Sequence, residues 1–265
     1  MKKIILVLIS LYSLWAFMSC GSTDLFEDFY TEYIPNNALP PESLLQDDED
    51  VQVFYSTDVW NDTYDMMSGK YYRLKGYAGF EYNSTYNKYD DDDIKDSAEE
   101  LAEDNDAKVV IYGTTRDELD SGVTTSSGMT NTYYNSYTRT TTSYSTPSTR
   151  SYTLSKYSYF AYLLSPYVKS EIEQWRLGLQ VVDLSNDDRK SLKRNTGVLV
   201  DVVFQKFPAF YADLMCGDVI IEINGKQIRD KDDFEKAEAQ LKPDDSVTMK
   251  IIHEGTEKTV NMTAK

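Results

Sequence analysis

The sequence predicts an α+β protein in which an alternating strand–helix region precedes a smaller, strand-rich unit. Apolar patterns over residues 51–113 switch between the period of 2 expected of strands and the wider spacing of an amphipathic helix. Ser, Thr and Tyr then fill 28 of the 40 positions from 121 to 160. The final stretch, from residue 197, runs strand, short helix, strand, Asn-Gly turn, helix and hairpin.

Ahead of these regions lies a processing segment. Lys2 and Lys3 precede an apolar run from Ile4 to Phe17, which is short of the roughly 20 apolar residues a membrane-spanning helix needs. The run ends in Phe17-Met18-Ser19-Cys20-Gly21, which resembles a bacterial lipobox, in which a small residue precedes a diacylated cysteine. Ser19 and Cys20 fit that pattern, whereas Phe17 and Met18 depart from it. The resemblance implies a signal peptide over 1–19 and lipidation of Cys20, each buried acyl CH₂ contributing about 0.8 kcal/mol of anchoring. The alternative is an ordinary cleaved signal with an incidental cysteine. Cleavage would take the formal charge from −17 to −19. An acylated Cys20 cannot pair with Cys216, so no disulfide is expected. Residues 20–49, with Asn36-Asn37, Pro40-Pro41 and the acids from Asp47 to Asp50, read as a lipidated acidic tether.

Residues 50–168 read as an α/β domain. Val51 to Tyr55 is a short strand and Asp58 to Met67 a helix capped by Ser56 or Thr57. Tyr71 to Tyr82 is an aromatic strand. The run Asp90-Asp91-Asp92-Asp93 precedes Ile94, Ala98, Leu101 and Ala102, one face of an amphipathic helix whose first turn the acids suit. A calcium loop would need spaced ligands and turn glycines, which this run lacks. Lys108 to Tyr112 is a buried strand stopped at Gly113. Thr and Tyr are strand formers, so Thr130 to Tyr144 and Tyr152 to Leu164 are expected to pair as a long hairpin. Its turn would lie near Thr146-Pro147-Ser148, and Tyr152, Leu154, Tyr157, Tyr159 and Tyr162 would share a half-buried face. The layout of residues 50–166 resembles an uncharacterised α/β region of bacterial envelope proteins.

Residues 172–265 carry a more specific signature. Gly197 to Val203 is a strand, and Phe207-Pro208-Ala209 opens a helix with Pro near its start. Gly217-Asp218-Val219-Ile220-Ile221-Glu222-Ile223-Asn224-Gly225 gives a turn, a buried strand and a reverse turn. A second helix spans Asp232 to Leu241, and a hairpin turns at Glu254-Gly255. Together these resemble the circularly permuted PDZ domains of bacterial envelope proteases of the high-temperature-requirement family. The match departs at Phe207, where a small residue is usual, and at bulky Phe210 and Tyr211. The resemblance implies a small, partly open β-barrel with two helices. It also implies peptide binding by strand addition, with loop amides gripping a terminal carboxylate. The loop would be Arg176-Leu177-Gly178-Leu179, followed by the groove strand Leu179 to Val182, with Val181 among the peptide-binding residues. Phe234, Ala237, Glu238 and Leu241 would form the opposite wall, and Arg176 would attract the carboxylate.

Catalysis is weakly supplied. The single histidine, His253, lies in a late strand, and no Gly-x-Ser-x-Gly appears, so the relatives' serine-protease machinery is missing. Multi-His metal sites are excluded, and no cofactor is called for. Asp120-Ser121-Gly122 matches the triplet of aspartic peptidases, but the polar Arg116 to Leu119 before it favours a turn. Cys216 has no base near it in sequence. With 44 acids against 27 Lys and Arg, nucleic acid is not an expected partner. The expectation is therefore a non-catalytic protein anchored in a Gram-negative-type envelope, on the outer membrane or surface more than the inner membrane. It would bind a peptide or a C-terminal tail of a partner protein; its oligomeric state is left open. The alternatives are a degenerate aspartic peptidase using Asp120, and a structural lipoprotein whose groove is filled from within by residues 166–175.

Overall fold

The computed structural model describes residues 25–265 apart from 88, 127–129, 136–139 and 146–147. The expected signal peptide, Cys20 and the turn expected at Thr146-Pro147 lie outside the described residues.

The N-terminal part is a five-stranded sheet in the order β1 (Tyr30–Glu32), β3 (Tyr72–Ser84), β7 (Ser148–Pro166), β4 (Val109–Ser126) and β2 (Gln52–Tyr55). β2 runs parallel to β4, and the other pairs are antiparallel. Two helices cover its faces, α1 (Val59–Lys70) and α2 (Asp91–Asp104). Alternation decides which residue meets which helix. Val110, Tyr112, Tyr157, Tyr159, Ala161 and Leu163 pack with Ile94, Ala98, Leu101 and Ala102 of α2. Val109, Ile111, Tyr162 and Leu164 pack with Val59 and Met67 of α1. The sheet is thus buried on both sides, and Tyr162 faces away from Tyr157 and Tyr159 instead of sharing one face with them. The aspartate run does start a helix: Asp90 Oδ1 accepts from Asp93 N at 2.8 Å.

Several sequence expectations are corrected here. Gly113 does not end its strand, because β4 continues to Ser126 and pairs with β7 through Ser126–Ser148. The long hairpin therefore has β4, not Thr130 to Tyr144, as its outward arm. Among the described residues, β5 (Thr130–Asn135) and β6 (Thr140–Ser145) pair with each other as a separate two-stranded sheet. Asp120 sits in β4 beside a bulge at Leu119, not in a turn.

The acidic tether is also overturned over residues 25–49. Phe26 is fully buried against Phe80, β1 adds an edge strand to β3, and Leu45 N donates to Asp106 O. Lys75, wholly buried at a bulge in β3, has its ammonium 3.6 Å from Glu32 of β1. Burial lowers the Lys75 pKa, and Glu32 works against that shift. The many polar residues of this segment hide the few apolar ones that fasten it.

After β7, the chain forms a short helix, α3 (Lys169–Ile172), and enters a second sheet in the order β13 (Thr256–Thr263), β12 (Ser246–His253), β10 (Val219–Ile223), β9 (Val198–Val203) and β8 (Leu179–Asp183), with β11 (Lys226–Gln227) on β10. This sheet is open, not a barrel closed on itself. Its helices are α4 (Asn186–Leu192), α5 (Pro208–Tyr211) and α6 (Lys231–Ala239). Both predicted turns have the paired positive φ of the favoured hairpin type: Asn224 and Gly225 at 48° and 78°, Glu254 and Gly255 at 48° and 79°. The unpredicted α4 is opened by Ser185, whose hydroxyl accepts from Asp188 N while Asp188 accepts from Ser185 N.

The two parts share one apolar cluster. Trp175 stacks on Phe204 at 4.1 Å between ring centroids, and Tyr167 meets both edge-on. Phe207 lies 5.9 Å from Tyr71 and 5.4 Å from Trp175. Tyr71, which caps α1 in the left-handed conformation, donates its hydroxyl to Gln205 O, and Gln205 N donates to Ser68 O. Arg73 of β3 pairs with Glu171 and lies over the Tyr167 ring, holding the connector in place. Residues 166–175 therefore pack into this junction.

Candidate peptide-binding groove

The loop before β8 takes its shape from Gly178. Its φ is +76°, and a Cβ there would fall 2.0 Å from the Phe207 Cβ, so no other residue fits without moving Phe207. Bonds on both sides fix the loop: Ala209 N donates to Leu177 O, Phe204 N to Gly178 O, and Lys265 N to Arg176 O. Phe207 is thus the price of close packing at Gly178 and the link to Trp175 and Tyr71. This explains its departure from a small residue.

β8 is the terminal strand of its sheet. Phe204 N bonds Gly178 O, and the register pairs Leu179 with Val203. Antiparallel pairing alternates, so Leu179 turns its own N–H and C=O away from β9 towards the open edge. Val203 N fits this, donating to the Tyr64 hydroxyl instead of to β8.

Helix α6 flanks that edge and is tied at both ends. Its N-cap Asp230 accepts from Asp233 N, and Lys231 N donates to Asp183 Oδ1 at the far end of β8. At the other end Glu238 Oε1 accepts from Leu177 N at 3.0 Å and Arg176 N at 3.3 Å. Burial raises the Glu238 pKa above the usual glutamate range, against the lowering effect of those two amides and the Arg176 charge.

The structure brings the predicted residues together but gives several a different part. Leu177, Leu179, Val181, Phe234, Ala237 and Leu241 are each no more than 9% exposed and belong to one core cluster. Their side chains pack into the core. Glu238 sits on the loop amides that were expected to meet a ligand. The Arg176 guanidinium donates to Glu173 O. Residues missed at the sequence level include Asp183, which ties α6 to β8, and Gln180, which links the Tyr167 hydroxyl to Asp201. No sequence pattern marks a lone acid as the end of a helix-to-strand tie.

A scan of family models matches residues 176–263 to the family described as PDZ domain. The C-terminal third is a PDZ domain. Its curated relatives include a probable periplasmic serine endoprotease DegP-like of Marinomonas sp. (strain MWYL1), 34% identical over 89 residues, or 33% of this chain and 19% of that protein. Another of the same description, from Bartonella henselae, is 31% identical over 96 residues, 36% of this chain and 19% of the relative. The chain thus spans about a fifth of the length of these relatives, and the matched part does not cover a protease domain. Among solved structures, the HtrA3 PDZ domain bound to a phage-derived ligand shows a TM-score of 0.30 at 15% identity, covering 34% of this chain and 83% of that one. The HtrA-type protease AlgW with decapeptide gives 0.31 at 20% identity, covering 39% and 36%.

The remaining candidate groups are accounted for locally. His253 Nδ1 bonds Asp218 Oδ1 at 2.6 Å, and Asp218 Oδ2 accepts from Met215 N, so the pair pins β12 to the turn before β10 of the PDZ domain. Cys216 lies in that same turn with its residue surface exposed, yet partial desolvation by the surrounding protein and the Asp201 and Asp218 carboxylates push its thiol up to about 11. A thiol so held is a poor nucleophile. Asp120 is exposed and accepts from the Tyr152 hydroxyl at 3.3 Å. A peptidase dyad needs a second carboxylate sharing a proton with the first, and among the described residues none bonds to Asp120. No cluster of three or more potential metal ligands occurs among the described residues.

Glu238 gives a signed pH prediction. An acid whose folded pKa is raised contributes stability below its unfolded value of 4.5, and that contribution is lost as pH rises through the folded value. Urea unfolding of wild type and Glu238→Gln between about pH 4 and pH 8 should therefore show the wild-type advantage shrinking with rising pH. An advantage that grows with pH would show that the loop favours the charged form.

Proposed function

We propose that the chain is a non-catalytic, lipid-anchored envelope protein that holds an extended peptide of a partner protein as an added strand beside β8. The observation that carries this reading is the free backbone pair of Leu179 on the terminal strand of a PDZ sheet, beside α6. Envelope placement draws on the periplasmic naming of the DegP-like relatives and on the processing segment ending at Cys20. The outer membrane or cell surface of a Gram-negative-type cell is the proposed site, with the acyl chains of Cys20 as the anchor. Among the described residues no helix is long and apolar enough to cross a membrane. The non-catalytic assignment draws on the confinement of the family match to the PDZ domain and on the local bonding of His253 and Asp218. The high formal negative charge disfavours nucleic acid as a partner.

One observation favours a second reading, a structural lipoprotein with a self-filled groove: Glu238 occupies two loop amides and the wall residues are buried. Hydrogen exchange separates the two. A peptide selected from a random library should slow exchange at Leu179 N–H about tenfold or more while leaving the β12–β13 hairpin unchanged. Failure of every selected peptide to protect β8 would favour the self-filled groove. The anchor is tested by fractionation, in which Cys20→Ala should move the protein from the membrane pellet to the soluble fraction. Retention in the pellet would reject lipidation at Cys20.

A further inference from the structure

We infer that the groove takes an internal, extended segment instead of a chain terminus, because the Glu238 carboxylate stands where a terminal carboxylate would be held. This rests on the reading of β8 as the ligand edge and names the class of ligand that edge accepts. A terminal carboxylate is an anion that needs several converging N–H donors and room for the last side chain beside them. Two of the loop's donors, and the apolar side chains beside them, are already used. Arg176 N and Leu177 N donate to Glu238, and Leu177, Leu179, Val181, Phe234, Ala237 and Leu241 are packed into the core.

Charge sharpens the exclusion. A second carboxylate arriving at the loop would meet the first within contact distance in a half-buried site, and like charges so placed repel strongly. Of the charges acting on Glu238, that of Arg176 already favours its ionised form, and the Arg176 guanidinium donates one bond to Glu173 O. Expelling Glu238 would also free one end of α6, whose other end Asp183 holds. What stays available is the outward N–H and C=O of Leu179. One residue inside a peptide chain supplies the matching C=O and N–H, is neutral, and needs no terminal pocket. Glu238 is accordingly a specificity-determining residue.

The test uses the full chain in detergent and two phage libraries of the same random heptapeptides, one ending in a free carboxylate and the other embedded between fixed flanking residues. Wild type should enrich the embedded library. Glu238→Ala should open the two amides and shift preference towards free carboxylate ends, by about tenfold or more against the embedded peptides, equivalent to about 1.4 kcal/mol. Glu238→Gln keeps an acceptor without the charge, should shift less, and carries the test if the alanine variant does not fold. Enrichment of free C-termini alone by wild type would overturn the inference, as would an unchanged preference in folded Glu238 variants. Enrichment from neither library would reject peptide binding itself, and this inference with it.

Discussion

The contact of Phe207 with Gly178 is the constraint on which the rest of the molecule depends. Gly178 lets the loop before β8 turn with positive φ, and the absent side chain leaves room for the Phe207 ring base. That ring then reaches past the PDZ sheet to Trp175 and Tyr71. One aromatic side chain therefore shapes the loop before β8 from beneath and fastens the domain to its neighbour. Linked domains ordinarily move relative to one another unless their junction is large and apolar. Here Val59, Met67, Val109, Ile111 and Leu164 from the N-terminal part join Val202, Phe204 and Phe207 from the PDZ domain in one buried cluster.

The N-terminal sheet follows from the same arrangement. Its strands are apolar on both faces because α2 covers one and α1 with the PDZ domain covers the other. Tyr159 stacks between Phe80 and Tyr82 on the α2 side, while Tyr162 meets Tyr77 and Trp60 on the other. Stacked and edge-on rings add to the area they bury, so this tyrosine-rich sheet resembles a core more than a solvated face. Beyond the bulge at Leu119 the arms of β4 and β7 run on past both helices, carrying exposed residues such as Val123 and Tyr152.

What was legible in the sequence was local. Asp90 declares its helix because a capping acid and its apolar stripe lie within a few residues. Asn224-Gly225 and Glu254-Gly255 declare their turns through the φ they permit, and the strand–helix string from Gly197 onward marks the PDZ fold. What failed depended on distant partners. Residues 25–49 looked like a tether because their acids outnumber Phe26 and Leu39, yet both of those are buried, and Phe26, the pairing of β1 with β3 and Glu32 against Lys75 fix the segment to the sheet. Gly113 looked like a stop because glycine punctuates strands, although its neighbours continue to pair with β7. Within the groove, the predicted apolar residues pack into one core and Glu238 bonds the loop, an arrangement that residue type alone does not specify, because a wall and a plug use the same apolar and acidic types. Only in the folded chain does Glu238 turn to Leu177 N.

The most direct measurement of the central claim is calorimetric unfolding of the wild-type chain beside Phe207→Ala. Truncating a buried Phe costs about 3–5 kcal/mol, and here the loss falls on the junction as well as on the PDZ core. The wild type should unfold in one cooperative transition, with both parts melting together. Phe207→Ala should separate it into two transitions. Two resolved transitions in the wild type, or a single unchanged one in the variant, would contradict the account.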